Sequence, residues 1–458
     1  MLRVAPLHTL ALCATLTVLA VVAPARANGR YPKADQLLVR SDDPSLLVAR
    51  TTFGFLISRD AGGSWDWVCE RAIGYSGIQD PTLGLMTDGT IIAGLAEGLA
   101  RSSDAGCNWG FATAALNGSP VVDLTVPRDA PENALALVWD PADVSYSSRF
   151  LASDDDGRSF VPYGAPLDPS VLALTLDVAP SDATRVYASG TRTVDTVRSG
   201  LLFTSSDSGQ HWAEFAVPFD SKVEQGVYIA AVDPNDPDTV YVRSNSATVS
   251  RLSVSHDAGQ HFDVVYSGSL LAFALSADGT RLYFGGEDGL HSGLASDLEF
   301  EQRSTRRLLC LAATKDTLYA CSDEHSGFTV GASHDDGFTF DPLLHLNTVR
   351  GPLACDNGAT VAECAGDWPL VRSQLGIPEP QESDAGVDGG DTSNGGDTSD
   401  GGASDGESNA GAEPTEVPST AAHDSSCAFG SSPRRRVAGA FFALALASAW
   451  LSRRYRSR

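Results

Sequence analysis

Short segments of alternating apolar and polar residues follow one another along most of the chain. In one unit they are 172–180 (LALTLDVAP), 185–190 (RVYASG), 200–206 (GLLFTSS) and 211–217 (HWAEFAV). The next unit repeats the scheme at 228–234 (YIAAVDP), 239–244 (TVYVRS), 249–255 (VSRLSVS) and 261–267 (HFDVVYS). Turn residues separate the segments, so the pattern predicts units of four short strands.

An octapeptide of the form S-x-D-x-G-x-x-aromatic lies between the third and fourth predicted strands. We call it the box motif. Its first five copies are spaced by 44, 51, 52 and 50 residues, and the sixth follows after 78 residues. The long interval contains 289–300 (GLHSGLASDLEF), which we count as a decayed seventh copy that has lost its glycine. The six copies begin at Ser58, Ser102, Ser153, Ser205, Ser255 and Ser333.

This period, with four strands to a unit, predicts an all-β fold: a seven-bladed β-propeller of four-stranded antiparallel blades. Seven units account for residues 36–346, and six or eight blades are the alternatives. Blade one is complete at its N-terminal end, so no spare strand is left for blade seven. We therefore expect residues 350–376 to close the ring by packing on a face of the blades, with a short helix capped by Asp367 and ended by Gly376.

Each residue type in the box motif suits a tight turn. Ser and Asp side chains accept hydrogen bonds from turn N–H groups, and Gly adopts a positive φ. The aromatic residue should bury its ring, which we expect of Trp212. The motif resembles the Asp-box (BNR) repeat of propellers such as bacterial sialidases and sortilin-type receptors. That resemblance implies boxes on the face opposite the usual ligand face, and a structural role for Asp60, Asp104, Asp155, Asp207, Asp257 and Asp335.

Both ends of the chain have the composition of targeting segments. Residues 1–27 combine a basic start, an apolar middle and the sequence ARA, which is typical of a secretory signal peptide. The propeller domain is then expected over 28–376. Residues 377–426 carry 12 acidic residues and neither Lys nor Arg, so they predict a disordered acidic linker.

Residues 427–458 form the last predicted segment, a sorting or membrane-anchor tail. It begins at Cys427 and contains a short apolar helix over 437–451 with arginines on both sides. The arrangement resembles the myxobacterial C-terminal sorting tail (MYXO-CTERM), although an arginine triplet precedes the helix here. The resemblance implies processing at Cys427 and display on the outer surface of the cell envelope. A simple tail anchor, too short at 15 residues to span a bilayer comfortably, is the alternative.

The formal net charge is −26, which argues against nucleic acid as a partner. Six cysteines fall within the propeller, and an exported chain with an even number predicts disulfides. Topology favours pairing Cys310 with Cys321, and Cys355 with Cys364. Cys69 and Cys107 would then join blades one and two. The alternative is that these cysteines stay reduced and buried.

Candidate chemistry is sparse. No HExxH, CxxC or calcium-loop motif occurs, so no metal or other cofactor is expected. His211, His256, His261 and His334 repeat box positions in different blades and are expected to be solvated turn residues. The long predicted loops 140–149, 189–200, 218–226 and 243–250 should share one face in blades three to five. Their candidate ligand-binding residues are Tyr146, Arg149, Arg192, Asp195 and Arg198.

The sequence therefore predicts an exported, monomeric propeller on an acidic stalk. The first hypothesis is a non-enzymatic surface module that binds protein or glycan through this loop face. The alternative is a glycoside hydrolase of the Asp-box type, which would need two carboxylates at a fixed separation near the mouth of the central channel. A purely structural envelope component is the third possibility.

Overall fold

The predicted blades are present in the computed structural model, which describes residues 30–379 apart from 41–42, 113–115, 117, 141–146 and 357. Its strands form seven four-stranded antiparallel sheets. The fold class and the blade count of seven are therefore confirmed. The predicted signal peptide, most of the acidic linker and the whole C-terminal tail lie outside the described residues. Among the described helices, none is long and apolar enough to cross a membrane.

The strands follow chain order within each blade. Blade one contains β1 (Ala34–Val39), β2 (Leu47–Thr51), β3 (Gly54–Ser58) and β4 (Asp66–Val68). Blade two contains β5 (Thr82–Leu85), β6 (Ile91–Leu95), β7 (Gly98–Ser102) and β8 (Gly110–Phe111). Blade three contains β9 (Val121–Thr125), β10 (Ala134–Trp139), β11 (Ser148–Ser153) and β12 (Val161–Pro162). Blade four contains β13 (Val171–Ala179), β14 (Asp182–Val194), β15 (Val197–Ser205) and β16 (Ala213–Val217).

The remaining blades have the same order. Blade five contains β17 (Glu224–Val232), β18 (Val240–Ser246), β19 (Ser250–Ser255) and β20 (Asp263–Gly268). Blade six contains β21 (Ala272–Leu275), β22 (Arg281–Gly286), β23 (Gly289–Leu294) and β24 (Glu301–Ser304). Blade seven contains β25 (Cys310–Ala313), β26 (Leu318–Cys321), β27 (Val330–Ser333) and β28 (Asp341–Leu344). The described helices are α1 (Glu70–Ile73), α2 (Thr360–Cys364) and α3 (Trp368–Gln374), with 3-10 turns at Glu324–Ser326 and Leu346–Thr348.

The first strand of every blade lies innermost, and these seven strands contact one another in a closed ring. The hydrophobic core is divided into layers between neighbouring blades. One such layer joins Val48 and Ile57 of blade one to Ile91 of blade two. Alternating side chains of each strand thus pack on the blade before and the blade after, which is the reason for the observed sequence alternation.

The alternating strand directions give the ring two different faces. The turns between first and second strands and the box motifs lie on one, which we call the box face. The hairpins between second and third strands and the connections between blades lie on the other, which we call the connector face. The described residues of the four long segments predicted to share a face all belong to the connector face.

Two of those segments are strand rather than loop, which corrects the sequence prediction. Strands β14 and β15 pair without interruption up to Val194 and Val197. Asp195 and Thr196 form the turn between them with φ values of 47° and 71°, the positive values of a tight hairpin turn. β18 likewise continues to Ser246. The polar residues of TRTVDTVRS thus form the two strands of a projecting hairpin whose tip is exposed.

Three disulfides join the six propeller cysteines, and only one of the predicted pairs is correct. Cys310–Cys321 links the first two strands of blade seven, as predicted. Two predicted pairs, Cys69 with Cys107 and Cys355 with Cys364, are wrong. The bonds present are Cys69–Cys364 and Cys107–Cys355.

These two disulfides fasten the segment after blade seven to blades one and two. The segment runs beside β4, where the Trp67 N–H donates to the Gly351 carbonyl at 2.7 Å and Leu353 donates back to Trp67 at 2.8 Å. Val371 and Leu375 add side chains to the core layer between blades seven and one. Closure thus combines an outer-edge contact, apolar packing and two covalent bonds. The helix predicted after Cys364 is α3, but the Asp367 carboxylate pairs with Arg71 at 2.9 Å instead of capping it.

The two closing disulfides should differ in their rate of reduction. Cys107 and Cys355 are partly exposed, and the Arg59 guanidinium lies 3.1 Å from the Cys107 sulfur, where it favours a departing thiolate. Cys69 and Cys364 are buried. We expect mild dithiothreitol treatment followed by alkylation and mass spectrometry to label Cys107 and Cys355 first.

An Arg59→Gln variant is the control for that experiment and should slow labelling of Cys107 and Cys355 only. Simultaneous labelling of all four cysteines in the wild-type protein would contradict the assignment.

Candidate functional site

Each box motif forms its own set of internal hydrogen bonds on the box face. In blade one, the Ser58 hydroxyl donates to the Asp60 carboxylate and accepts from the Gly62 N–H, both at 2.8 Å. The same carboxylate accepts from the backbone N–H and the hydroxyl of Ser64 at 2.8 and 2.6 Å. The other five boxes repeat these bonds. The box carboxylates are therefore occupied within their own turns.

The seventh box position always carries a side chain that donates to the box carboxylate, a rule that sequence analysis missed. His211 and His261 occupy it in blades four and five, and each Nδ1 lies 2.6 Å from the aspartate of its own box. His256 and His334 instead contact threonines of their own blades. Within the described residues, no group of His, Cys, Asp and Glu is arranged to hold a metal ion. The six residues at the seventh position are Ser64, Asn108, Ser159, His211, His261 and Thr339.

The residue before the box glycine also has a positive φ, between 52° and 59° in all six copies. Two consecutive left-handed residues explain the tightness of the turn. In the decayed copy of blade six, Leu298 takes this conformation with φ 56°. The strained Leu298 keeps one of the two left-handed residues, but Glu299 at the glycine position has no positive φ, so the box turn is only partly retained. The residues concerned in the six boxes are Ala61, Ala105, Asp156, Ser208, Ala258 and Asp336.

The aromatic residue of the box is not buried equally in every blade. Trp65 of blade one and Phe160 of blade three are 1% and 4% exposed. Trp212 is only half-buried, which corrects the expectation of a fully buried ring, although its indole N–H donates to the Ala165 carbonyl at 2.8 Å. The ring packs against Phe150 of blade three, at the interface between blades three and four.

A cavity of about 610 Å³ lies along the central channel and opens towards the box face. The innermost strands of all seven blades line it, and Arg128 and Asp129 stand at its mouth. Two carboxylates occur on neighbouring innermost strands here. Asp177 of β13 lines the cavity, whereas the Asp123 carboxylate of β9 accepts from the Leu176 N–H of the next blade at 2.8 Å.

The charge states of these carboxylates contrast with those of the boxes. Burial raises the pKa of Asp123 to about 6 and that of Asp177 to about 7, the latter with a further contribution from the Asp123 charge. In the boxes, hydrogen bonds favour the ionised form. Bonds from Thr339 lower the pKa of Asp335 to about 2, and bonds from His261 do the same for Asp257.

Stability should therefore pass through a maximum near pH 4. Box carboxylates with lowered pKa values stabilise the fold above their usual value of 3.8, and this contribution is lost as the pH falls towards 2. Asp177, whose pKa is raised, has the opposite effect, and its ionisation destabilises the fold as the pH rises from about 4 to about 7. Melting temperatures measured between pH 2 and pH 8 should show both the rise in stability up to about pH 4 and the fall above it.

The Asp177→Asn variant should flatten the upper limb and melt above the wild type at pH 8. Asp129→Asn, at the exposed channel mouth, is the matched control and should keep the wild-type slope. If the melting temperature of Asp177→Asn falls with pH as steeply as that of the wild type, the Asp177 carboxylate is not the cause of the loss of stability above pH 4.

The predicted ligand-binding residues lie on the connector face, but most are tied to neighbouring structure. Arg149 donates to the Ser119 hydroxyl at 3.0 Å, and Arg192 forms a bidentate pair with Glu214. Arg198 reaches the Gln225 carbonyl of the next connection at 3.0 Å. Asp195 forms the hairpin turn described above, and Tyr146 lies outside the described residues. The structure thus gives these side chains a common face without bringing them into one pocket.

Two features of this face were missed by sequence reasoning. Glu224, at the start of β17, has a fully buried side chain that pairs with Arg251 at 2.6 Å. It also accepts hydrogen bonds from the Ser244 hydroxyl and the Asp220 N–H, so it fixes the connection between blades four and five.

Exposed aliphatic side chains form the second feature. They occupy consecutive projections of blades four to six, and their exposed fractions are between 43% and 59%. We call this set the aliphatic rim. It consists of Val194, Val197, Val223, Val249 and Leu271.

Comparison with known proteins identifies the fold but no family. No family model and no curated protein matches the chain. Among solved structures, an ancestral GH74 enzyme is similar with 11% identity and a TM-score of 0.52, over 69% of this chain and 47% of that one. This chain thus spans about half the length of that enzyme.

Two further solved structures are similar at lower TM-scores. The extracellular domain of a putative one component system from B. thetaiotaomicron has 10% identity and a TM-score of 0.44, over 66% of this chain and 38% of that one. The GH74 xyloglucanase from Xanthomonas campestris has 12% identity and a TM-score of 0.27, over 68% and 69%. At 11% identity, the likeness to the ancestral GH74 enzyme establishes the propeller fold alone.

Proposed function

We propose that this protein is an exported propeller, displayed at the cell surface, that binds a protein partner through the aliphatic rim without catalysing a reaction. The observation that carries the proposal is the concentration of exposed aliphatic side chains on adjacent loops of one face. Single exposed apolar residues are ordinary, but a cluster on neighbouring loops is typical of an interaction surface.

The distribution of exposed groups supports the connector face over the box face. The box carboxylates already accept hydrogen bonds within their own turns, as shown above for Asp60. The exposed large apolar side chains near the box face lie one to a blade in the described chain, in contrast to the rim; they are Phe111, Val161, Val264, Leu294 and Phe338. The rim residues are aliphatic, whereas sugar rings are usually recognised by stacking on aromatic side chains. A protein therefore fits the rim better than a glycan does.

Surface display is part of the proposal. Three disulfides are typical of an oxidising compartment, which fits the signal peptide predicted at residues 1–27. The tail predicted from Cys427 onward would anchor or release the propeller. Loss of surface labelling in a Cys427→Ser variant, with the fold retained, would support this part, and unchanged labelling would reject it.

The rim is tested by selecting a random 12-residue peptide display library on the full chain. Peptides enriched on the wild type should lose binding to a Val194→Ser, Val197→Ser double variant. The matched control is Val161→Ser with Val264→Ser, two exposed positions on the outer strands of blades three and five. Equal binding to the rim variant, an absence of enriched peptides, or binding to a glycan array instead would overturn the proposal.

A glycoside hydrolase is the second candidate, favoured by the Asp123 and Asp177 pair with its raised pKa values. It ranks lower because the Asp123 carboxylate bonds the backbone of the next blade, and Asp177 alone of the two lines the cavity. Turnover of chromogenic glycosides that is abolished by Asp177→Asn would establish it. No turnover by the wild type would remove it.

A further inference from the structure

Arg243 is a half-buried cation without a counter-charge. It lies on β18, where it is the cross-strand partner of Tyr228 on β17. Its guanidinium carbon lies 5.3 Å from the centre of the Tyr228 ring. Within the described part of the chain, no carboxylate pairs with Arg243 and no oxygen accepts a hydrogen bond from its guanidinium.

Such a group is expected to weaken the fold. Burial lowers the pKa of Arg243, because the charged form loses water without gaining an acceptor. Arg251 in the same blade shows the alternative, since it pairs with the buried Glu224. A half-buried arginine with a ring contact but no carboxylate partner points to a role outside stability.

The surroundings of Arg243 add a second cation and a phenol. Tyr228 supplies the phenol, and two residues beyond Arg243 on β18 the Asn245 Oδ1 is buried without a hydrogen-bond partner in the described structure. Burial raises the pKa of Tyr228, and the charges of Arg243 and of Arg198 in blade four oppose that rise, which places both cations near the phenol. The only hydrogen bond that the described structure gives the Arg198 side chain is to the Gln225 carbonyl, which leaves further N–H donors available.

This corner adjoins the aliphatic rim. Arg198 directly follows Val197 in the sequence, and β18 leads from Arg243 into the hairpin that carries Val249. Guanidinium groups present paired N–H donors whose spacing matches the two oxygens of a carboxylate. The whole chain is strongly acidic, with a net charge of −26, so an unpaired cationic corner beside an apolar surface is selective for a partner of opposite charge.

We propose that Arg243 and Arg198 form a carboxylate subsite that receives an Asp or Glu side chain of the bound protein, flanked by residues that contact the aliphatic rim. The inference rests on the proposed function and specifies the chemistry of the partner segment. It predicts that the bound segment alternates acidic and aliphatic residues.

The experiment compares peptides selected on the full-length wild type with their Asp→Asn or Glu→Gln counterparts, using fluorescence polarisation. The wild type should bind the acidic peptide more tightly by a factor on the order of 10 to 100. Arg243→Met should lose that preference and bind both peptides equally, because the partner of the carboxylate is gone. Arg281→Met, whose arginine faces Asp336 on the box face, is the matched control and should keep the preference.

A stability measurement separates binding from folding. Arg243→Met should melt within about 2 °C of the wild type or above it, because it removes an unpaired buried charge. A preference for the acidic peptide that persists in Arg243→Met, or enriched peptides without acidic residues, would overturn the subsite. If the subsite fails this test but the enriched peptides still lose binding to the Val194→Ser, Val197→Ser variant, the proposed binding function of the rim is retained. If the enriched peptides also bind the rim variant as tightly as the wild type, both the subsite and the proposed function are rejected.

Discussion

Replacing Trp65 with alanine is expected to destabilise the propeller by about 3–5 kcal/mol. The Trp65 indole is 1% exposed and lies in the core layer that joins blade seven to blade one. Its N–H donates to the Leu343 carbonyl of blade seven at 3.0 Å. The substitution therefore removes a large buried ring and a hydrogen bond at the point where the ring closes. Urea titration of the purified protein measures the change in the free energy of unfolding.

Trp212→Ala is the matched control, since it changes the same box position in blade four. The Trp212 ring is half-buried, so its loss should cost clearly less than that of Trp65. Equal losses of unfolding free energy in the two variants would show that the interface between blades seven and one contributes no more to stability than the interface at Trp212. A loss below roughly 1 kcal/mol for Trp65→Ala would contradict its burial.

Replacing Arg251 with methionine should cost a similar amount, about 3–5 kcal/mol, for an electrostatic reason. The Glu224 side chain has no exposed surface, and Arg251 is its charged partner. Without Arg251 the carboxylate is left buried with two neutral donors, Ser244 and the Asp220 backbone. Denaturant unfolding should show the loss, and hydrogen exchange should increase at 218–226.

A Glu224→Gln, Arg251→Met double variant tests the cause. If the cost arises from the uncompensated carboxylate, the double variant should be more stable than Arg251→Met alone. Arg192→Met is the matched control, because the Arg192–Glu214 pair is more exposed and should contribute less than about 1 kcal/mol. Equal losses for Arg251→Met and Arg192→Met would exclude a buried ion pair at Glu224.

The repeat pattern was sufficient to predict the blades because strand alternation and turn chemistry act within each unit. The sheets of blades four and five begin and end close to the predicted segments. The hairpin around Asp195 was interpreted as a loop because polar residues occupy both of its strands. A projecting hairpin has no buried face, so hydrophobicity does not mark it.

The disulfides were predicted less well because their partners are 295 and 248 residues apart in sequence. Pairing neighbours such as Cys355 and Cys364 assumes that the last segment folds on itself. In the structure it crosses onto blade one, a tertiary contact that no local pattern records. Arg243 was missed for the same reason, since an arginine in a strand does not reveal whether a carboxylate faces it.

The closing segment also determines how the molecule bears mechanical load. A pull applied at residue 379 reaches α3 and then Cys364, where the bond to Cys69 transfers the force into blade one. Blade seven lies between the two cysteines in sequence and is shielded from tension along the chain. While the Cys69–Cys364 bond holds, traction at residue 379 can peel away residues 365–379 but does not pull on the chain between Cys69 and Cys364, so blades two to seven bear no tension along the chain.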